Sequence, residues 1–310
     1  MRSPFALRLT DQHNRALTHP TPPAVPGTLY VVATPIGNLA DASARALETL
    51  RQVDLLACED TRTTRTLLAR HGIERPAVAL HAHNERAASA KLLAALGEGR
   101  SVALVTDAGT PGISDPGALL VEQAHRAGIR VVPVPGPNAA VAAYSAAGFA
   151  ADRFVFAGFL PAKAAARRKA LQSLDLPWPV ILYEAPHRVL ETVDDLVRQL
   201  GAEREIVIAR ELTKKFEEVA RLPLAQAAAW LQAHAHRQQG EFVLVLGPGP
   251  VKEGDIAQAE HVLEVLLESL PASEAARLAA RITGMPRNAL YKLAVENRGK
   301  IPPVTPRRTR

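Results

Sequence analysis

Apolar runs of four or five residues recur along the first half of the chain, each closed by a Gly/Pro-rich loop and followed by a stretch of helical period. Leu29–Ala33 reads as a buried strand, then Thr34-Pro-Ile-Gly-Asn38, then a helix over Asp41–Arg51. Val53–Ala57 is a second short strand, with helices over Thr61–Arg70 and Asn84–Leu96, the latter with Asn84 as its expected N-cap. Val102–Val105 runs straight into Thr106-Asp-Ala-Gly-Thr-Pro-Gly112, and a helix to about Ala127 follows with Ser114 as expected N-cap and Pro116 in its first turn. Arg130–Val134 ends in Pro135-Gly-Pro-Asn138 and opens a helix of small residues. Strands alternating with helices predict crossover units and a mostly parallel sheet.

From Asp152 the pattern shifts. Strands are expected at Phe154–Ala157, Val180–Tyr183, Ile206–Ala209, Phe216–Leu222 and Glu241–Leu246, with helices over Lys163–Leu174, Pro186–Leu200 and Leu224–His236. This block is richer in strands able to pair antiparallel, which predicts a mixed sheet. Past Gly249, three short amphipathic helices follow (Ala257–Leu267, Ser273–Thr283, Arg287–Glu296), with Gly284 where a tight helix-turn-helix connection needs it. The expected organisation is a Pro-rich extension over 1–26, an α/β domain over 27–150, a second over 151–250, a helical appendage over 251–297 and a basic tail over 298–310.

Composition adds boundaries to this picture. With 47% hydrophobic and 22% charged residues, a core of ordinary size is expected. The single cysteine, Cys58, excludes an intrachain disulfide and suits a reducing compartment. One cysteine and ten histidines without a close ligand cluster argue against a metal site. No apolar run approaches the ~20 residues of a membrane span, and polar residues 11–15 stand where a signal peptide would need an apolar segment, so a cytoplasmic protein is expected. A net charge of +6 favours polyanionic partners, though GC-rich coding alone also raises arginine content.

The candidate chemistry lies in the three loops Thr34–Asn38, Asp107–Pro116 and Pro135–Asn138. Each leaves a strand at its carboxyl end, where open α/β sheets bind ligands. None has the Gly-x-Gly-x-x-Gly or Walker A spacing, which disfavours NAD and ATP and points to a ligand held by main chain without a phosphate cradle.

In these motifs the chain resembles the tetrapyrrole-methylase superfamily, and within it the ribosomal RNA small-subunit methyltransferase I branch. The resemblance rests on Thr34-Pro-Ile-Gly-Asn-Leu39, Cys58-Glu-Asp-Thr-Arg62, Thr106-Asp-Ala-Gly-Thr-Pro111, Ser114-Asp-Pro-Gly117 and Val134-Pro-Gly-Pro-Asn138. It continues through Gly158-Phe-Leu-Pro161, Tyr183-Glu-Ala-Pro-His-Arg188, Ala209-Arg-Glu-Leu-Thr-Lys214, Gly240-Glu-Phe-Val-Leu-Val245 and Asn288-Ala-Leu-Tyr-Lys292, spanning about Gly27–Asn297 in order. It implies a two-domain α/β tetrapyrrole-methylase-like fold with a small C-terminal helical appendage. It also implies a homodimer that binds S-adenosylmethionine in a cleft between its domains and methylates a cytidine ribose 2′-oxygen in the decoding region of 16S ribosomal RNA, within the small ribosomal subunit. Carried over by position, the implied cofactor residues are Pro35, Ile36, Gly37, Asp107, Ala108, Gly109, Thr110, Ile113, Asp115, Pro135, Gly136, Pro137 and Asn138, with Tyr183, Glu184, Ala209, Gly240 and Glu241 from the second domain.

A ribose hydroxyl is a weak nucleophile, so a positioned base or a charged neighbour is expected to help. Glu59, Asp60, Glu184, His187 and Glu211 are open candidates for the base, and Arg62, Arg188, Arg210 and Lys214 for lowering the hydroxyl pKa or holding phosphate. Glu59–Arg62 and Glu211–Lys214 are spaced so that each could equally be a plain ion pair. Lys163, Arg167, Arg168 and Lys169 suggest a basic helix face for RNA, and Arg277, Arg281, Arg287 and Lys292 a second in the appendage. Gln239 stands where relatives are expected to carry a basic residue. Two rivals stay open: a same-fold methylase of tetrapyrroles or of a modified histidine precursor, and a non-catalytic RNA-binding or ribosome-assembly protein. Thr34–Asn38 departs from the Gly-x-Gly-Pro-Gly-Asp loop expected of the first, and intact cleft loops argue against the second.

Overall fold

The computed structural model describes residues 23–250 and 253–297. The expectations for residues 1–22 of the extension and for the tail 298–310 lie outside the described residues. The chain divides into two compact units, Met1–Ala142 and Ala143–Arg310.

The first unit holds five parallel strands: β1 Thr28–Val32, β2 Leu55–Cys58, β3 Ala77–Ala79, β4 Val102–Leu104 and β5 Arg130–Val134, in the order β3-β2-β4-β1-β5. Its helices are α1 Ala44–Gln52, α2 Thr61–Arg70, α3 Glu85–Gly97 and α4 Ala118–Arg126. Alternate strand residues serve opposite faces. Tyr30, Val32, Leu56, Cys58 and Ala103 pack with Ala46 and Leu50 of α1 and Leu68 of α2. Leu29, Ala57, Val102 and Leu104 pack with Leu92 and Leu96 of α3 and Leu120 and Ala124 of α4. Each leucine so buried stabilises the fold by about 1.5–3 kcal/mol. The chain winds outward from β1 to β3, returns to β4 and then passes to β5. The neighbouring strands β1 and β4 therefore feed helices on opposite faces, and the loops after them part at a switch point.

Local details depart from the sequence reading. β3 has no counterpart among the predicted strands: it has three residues, two of them alanine, behind Pro76. Asn84 makes no side-chain cap. It clamps the preceding turn instead, with Oδ1 accepting from the His81 amide (2.9 Å) and Nδ2 donating to the Ala79 carbonyl (2.9 Å). Ser114 does not cap α4 either. It sits in the loop with φ 66°, and the α4 N-terminus donates to a distant carboxylate, Glu85 Oε1, from the amides of Gly117 (2.8 Å) and Leu119 (3.3 Å). A carboxylate there also complements the positive end of the helix.

α5, Ala139–Ala147, spans the division between the units. The second sheet follows, with β6 Val155–Phe159, β7 Val180–Glu184, β8 Glu205–Arg210, β9 Glu218–Pro223 and β10 Phe242–Leu246 in the order β6-β7-β10-β8-β9. β6 and β7 pair in parallel, and the other neighbours antiparallel, giving the expected mixed sheet. Helices α6 Ala164–Gln172, α7 Val189–Leu200 and α8 Leu224–Gln232 cover one face through Leu171, Val193, Leu196, Ala227 and Leu231, packed on Leu182, Ile208 and Leu244. Three further helices, α9 Glu253–Leu267, α10 Ala272–Thr283 and α11 Arg287–Asn297, form their own core of Ala259, Leu263, Ala275, Ala279, Leu290 and Ala294. Gly284 joins α10 to α11 in the left-handed conformation expected of that turn.

One predicted basic face is corrected here. Arg167 is 2% exposed, with Nε 2.8 Å from Asp195 Oδ2 and Nη2 3.3 Å from Glu191. Its guanidinium fastens α6 to α7 and is not presented to RNA. Arg168 leans on Asp195 as well (3.5 Å), which leaves Lys163 and Lys169 as the exposed cations of that helix. Removing one partner of a buried pair strands the other's charge. Asp195→Ala should therefore cost about 3–5 kcal/mol in a urea melt, while Glu191→Ala, with a 70% exposed side chain, should cost under about 1 kcal/mol. Equal, small losses would mean that Arg167 finds water or another partner.

Candidate active site

The β1 and β4 loops part at the switch point and are then tied together. Thr34 and Gly109 form an antiparallel bridge, Thr34 N donating to Gly109 O (2.8 Å) and Gly109 N to Thr34 O (3.1 Å). The Thr34 hydroxyl adds a bond to Thr106 O (3.1 Å). Gly109 has φ 83°, a conformation that L side chains rarely adopt. The third loop joins through the Thr110 hydroxyl, which donates to Pro137 O (3.0 Å). Asn138 caps α5 by accepting from Val141 N (3.1 Å). A hollow of about 270 Å³ opens between the loops after β1 and β4 and α2, its wall including Thr34, Pro35, Leu39, Thr63, Thr64, Thr106 and Asp107. A larger one, about 990 Å³, lies between α2 and the turn into β3, with Arg65, Glu74 and Arg75 on its wall and none of the three loops.

Carboxylates gather at this edge. Asp107 Oδ1 accepts from Asp60 N (3.1 Å), joining the ends of β2 and β4. Burial pushes Glu59 above the usual carboxylate range, and the Asp107 charge adds to it. Asp115 is pushed up to about 6 by burial first, then by the charges of Glu59 and Asp107. Asp60 goes the other way: hydrogen bonds from Arg62 hold it at about 2, so it is a poor proton acceptor. Arg62 is spent on it (2.8 Å). His81, at the end of β3, acts electrostatically on Glu59, a neighbour that the sequence reading missed because β3 itself is too short to be seen. Three carboxylates suit a ligand bearing a positive charge and would repel a polyphosphate. Pro35 and Ile36 are buried, and Gly109 lets main chain approach. The residues present therefore fit a cationic nucleoside such as S-adenosylmethionine.

The second unit arranges its predicted residues differently. Tyr183, Val243 and Ala209 lie in register across β7, β10 and β8, and Glu184, Phe242 and Arg210 form the next row. Tyr183 packs edge-on to Phe156 (5.0 Å) and Phe159 (5.6 Å). Glu184 cannot serve as the base or touch a cofactor through its side chain, which is 0% exposed. Its oxygens accept from the Thr192 hydroxyl (2.6 Å) and Ala185 N (2.8 Å) and face Arg188 Nε (3.3 Å). Arg188 in turn donates to Leu160 O (2.7 Å), so it joins β7 to the segment after β6. Arg210, with a side chain 4% exposed, donates to Gln239 O (2.9 Å) and Phe216 O (2.7 Å) and faces Glu218, so it is a fastener of the fold. Glu211, Lys214 and Glu241 come together: Lys214 Nζ is 2.9 Å from Glu211 Oε1 and 2.9 Å from Glu241 Oε2. Burial alone would raise Glu211, but the Lys214 hydrogen bond and the Glu241 amide hold it below its ordinary value. His187 is exposed after β7, as are Arg287 and Lys292 on α11.

Comparison with known proteins sharpens this. The family model for Tetrapyrrole (Corrin/Porphyrin) Methylases matches residues 28–228, and that for the RsmI C-terminal HTH domain matches 253–298. The chain is 51% identical to the Ribosomal RNA small subunit methyltransferase I of Pseudomonas aeruginosa, over 88% of this chain and 99% of that protein. It is 50% identical to the protein of the same name from Escherichia coli O157:H7, over 88% and 96%. Among solved structures it is similar to a uroporphyrin-III C-methyl transferase from Thermus thermophilus complexed with S-adenyl homocysteine, with a TM-score of 0.53 at 16% identity, covering 71% of this chain and 97% of that one.

The raised Asp115 makes a pH-dependent prediction. Its folded pKa lies above the ordinary 3.8, so the unfolded chain ionises it first as pH rises. Stability is lost between about 4 and 6 and does not return above. Asp115→Asn removes that loss. It should stabilise the protein by about 1–2 kcal/mol at pH 8, after allowance for partial exposure, and by nothing at pH 3.5. Paired denaturant melts at the two pH values test it, and an equal effect at both would show that Asp115 ionises normally.

Proposed function

The chain belongs to the ribosomal RNA small subunit methyltransferase I family, and from that membership we propose that it methylates the ribose 2′-oxygen of a cytidine in the decoding region of 16S ribosomal RNA, using S-adenosylmethionine. The acceptor in this reading is 16S RNA within the small subunit, and the enzyme works as a cytoplasmic homodimer. The observation that carries the chemistry is the group of Glu59, Asp107 and Asp115 held at the glycine-tightened switch point.

Glu59 is the base in this reading. The other carboxylate candidates are each engaged otherwise: Glu184 is sealed, Glu211 is tied to Lys214, and Asp60 is held at about 2 by Arg62. A carboxylate raised by burial and by Asp107 is the better proton acceptor. S-adenosylmethionine, when bound, supplies a sulfonium methyl open to direct displacement. Asp107 and Asp115 would hold its positive charge, and the Thr34–Gly109 and Thr110–Pro137 contacts fix the loops that carry them. Glu59 would orient the 2′-hydroxyl and take its proton as the oxygen replaces sulfur on the methyl carbon, the sulfur leaving as the neutral thioether S-adenosylhomocysteine. Alignment by rigid loops supplies much of the acceleration. Pro35, Ile36, Gly37, Ala108, Ile113, Pro135 and Gly136 border the cofactor in this reading. Lys163, Lys169 and Arg287 contact phosphate, positioning RNA without reading its sequence.

The test is methyl transfer from labelled S-adenosylmethionine to unmodified 30S subunits, free 16S RNA and a uroporphyrinogen. Label should enter RNA and not the tetrapyrrole; the reverse would make the chain a small-molecule methylase. With wild-type activity in hand, Glu59→Gln should lower kcat by about 10²- to 10⁴-fold while calorimetry finds cofactor affinity unchanged. An unaltered kcat would exclude Glu59 as the base.

A further inference from the structure

β8 runs into a segment held in an uncommon backbone. Glu211 has φ 51° and Thr213 φ 67°, neither being glycine. Such residues persist only where their surroundings over-determine them, and they cluster at functional sites. Here the surroundings are explicit. Gly240 has φ 90°, and a Cβ on it would stand 2.4 Å from Glu211 Oε1, so only glycine leaves room for that carboxylate. Glu211 accepts from Lys214 Nζ and from Glu241 N, both at 2.9 Å. Glu217 accepts from Thr213 N. The buried Arg210 guanidinium pins the carbonyl of Phe216 at 2.7 Å.

What this scaffold presents is an apolar ring in water. Phe216 is 63% exposed. The other exposed phenylalanines lean on rings: Phe154 on Tyr144 (4.6 Å) and Phe159 on Tyr183 (5.6 Å). Among the described residues Phe216 pairs with no ring. Its neighbour Lys215 lies with Nζ 5.5 Å from the ring centroid. Register places it at the same end of the sheet as Tyr183 and Glu241, since Glu184, Phe242 and Arg210 are opposite one another. A single ring flanked by Lys215 and Glu217 is far smaller than the ~800 Å² that each partner buries in a stable protein interface. It matches one planar group beside one anionic group, which is the chemistry of an unpaired nucleotide.

We propose that Phe216 and Lys215 form a stacking platform for an unpaired base of the RNA substrate, the ring beneath the base and the ammonium on its phosphate. The strained loop fixes the ring before RNA arrives, so little ordering cost falls on binding. This rests on the reading of the chain as an RNA methyltransferase.

The experiment uses the full chain with unmodified 30S subunits, measuring RNA affinity, KM and kcat for methyl transfer, cofactor affinity and sedimentation. Phe216→Ala should weaken RNA affinity and raise KM by roughly tenfold or more, with cofactor affinity and sedimentation unchanged. Phe216→Trp should restore both, because a larger ring still stacks. Lys215→Gln should lower the slope of log Kd against log salt by about one. An active wild type with a Phe216→Ala variant equal to it in KM and affinity overturns the platform and leaves the function standing. So does a variant whose loss tracks a fall in sedimentation, which would make the ring a subunit contact. A wild type that methylates no RNA overturns the platform and the RNA reading together.

Discussion

Two hydrogen bonds between Thr34 and Gly109 hold the first unit's site together. β1 and β4 lie side by side but send their helices to opposite faces of the sheet, so the loops leaving them would diverge. The bridge closes that gap. It places the loop from Asp107 onward against Pro35 and Ile36, and the Thr110–Pro137 bond draws in the third loop. The carboxylates inherit their character from this closure. Glu59 and Asp115 are raised mainly because they are taken from water, and Asp107 stands near enough to both to add its charge. A looser edge would rehydrate Glu59 and Asp115 and return them to ordinary surface acids.

The second unit treats charge in the opposite way. Glu184, Arg167 and Arg210 are buried, and each is matched by partners within its own unit. They fix helices and loops to the mixed sheet. A buried pair of this kind contributes little net stability and much to the definition of one arrangement, because breaking it is so costly. The Arg210 guanidinium shows how structural and functional roles join: it is sealed from solvent, yet it sets where Phe216 stands.

Much of this is legible in the sequence. The short apolar runs and the Gly/Pro loops mark β1, β2, β4 and β5 with their helices, and the order of motifs implies the superfamily that the comparisons show. Strand β3 escaped because three residues rich in alanine carry no β signal. The caps depart from the sequence reading for two reasons: Asn84 turns back onto the His81 amide and Ala79 carbonyl, and the α4 amides are served by Glu85, distant in sequence. The site was legible as motifs and not as roles. Glu184 and Glu59 read alike in one dimension; one lies against Thr192 and Arg188 in a core, and the other at a sheet edge beside Asp107. Burial and partners separate them, and neither is visible in spacing alone. Arg167 reads as part of a basic face because its acidic partner, Asp195, lies a helix away.

The central claim is that a carboxylate edge built for a cationic cofactor serves transfer to a ribose hydroxyl. Alkaline hydrolysis of 16S RNA after reaction tests it most directly, since a 2′-O-methyl group removes the nucleophile that cleaves the neighbouring phosphodiester. One linkage, 3′ to a cytidine in the decoding region, should become resistant in step with label incorporation. Label incorporated with every linkage still labile would place the methyl on a base and contradict the claim.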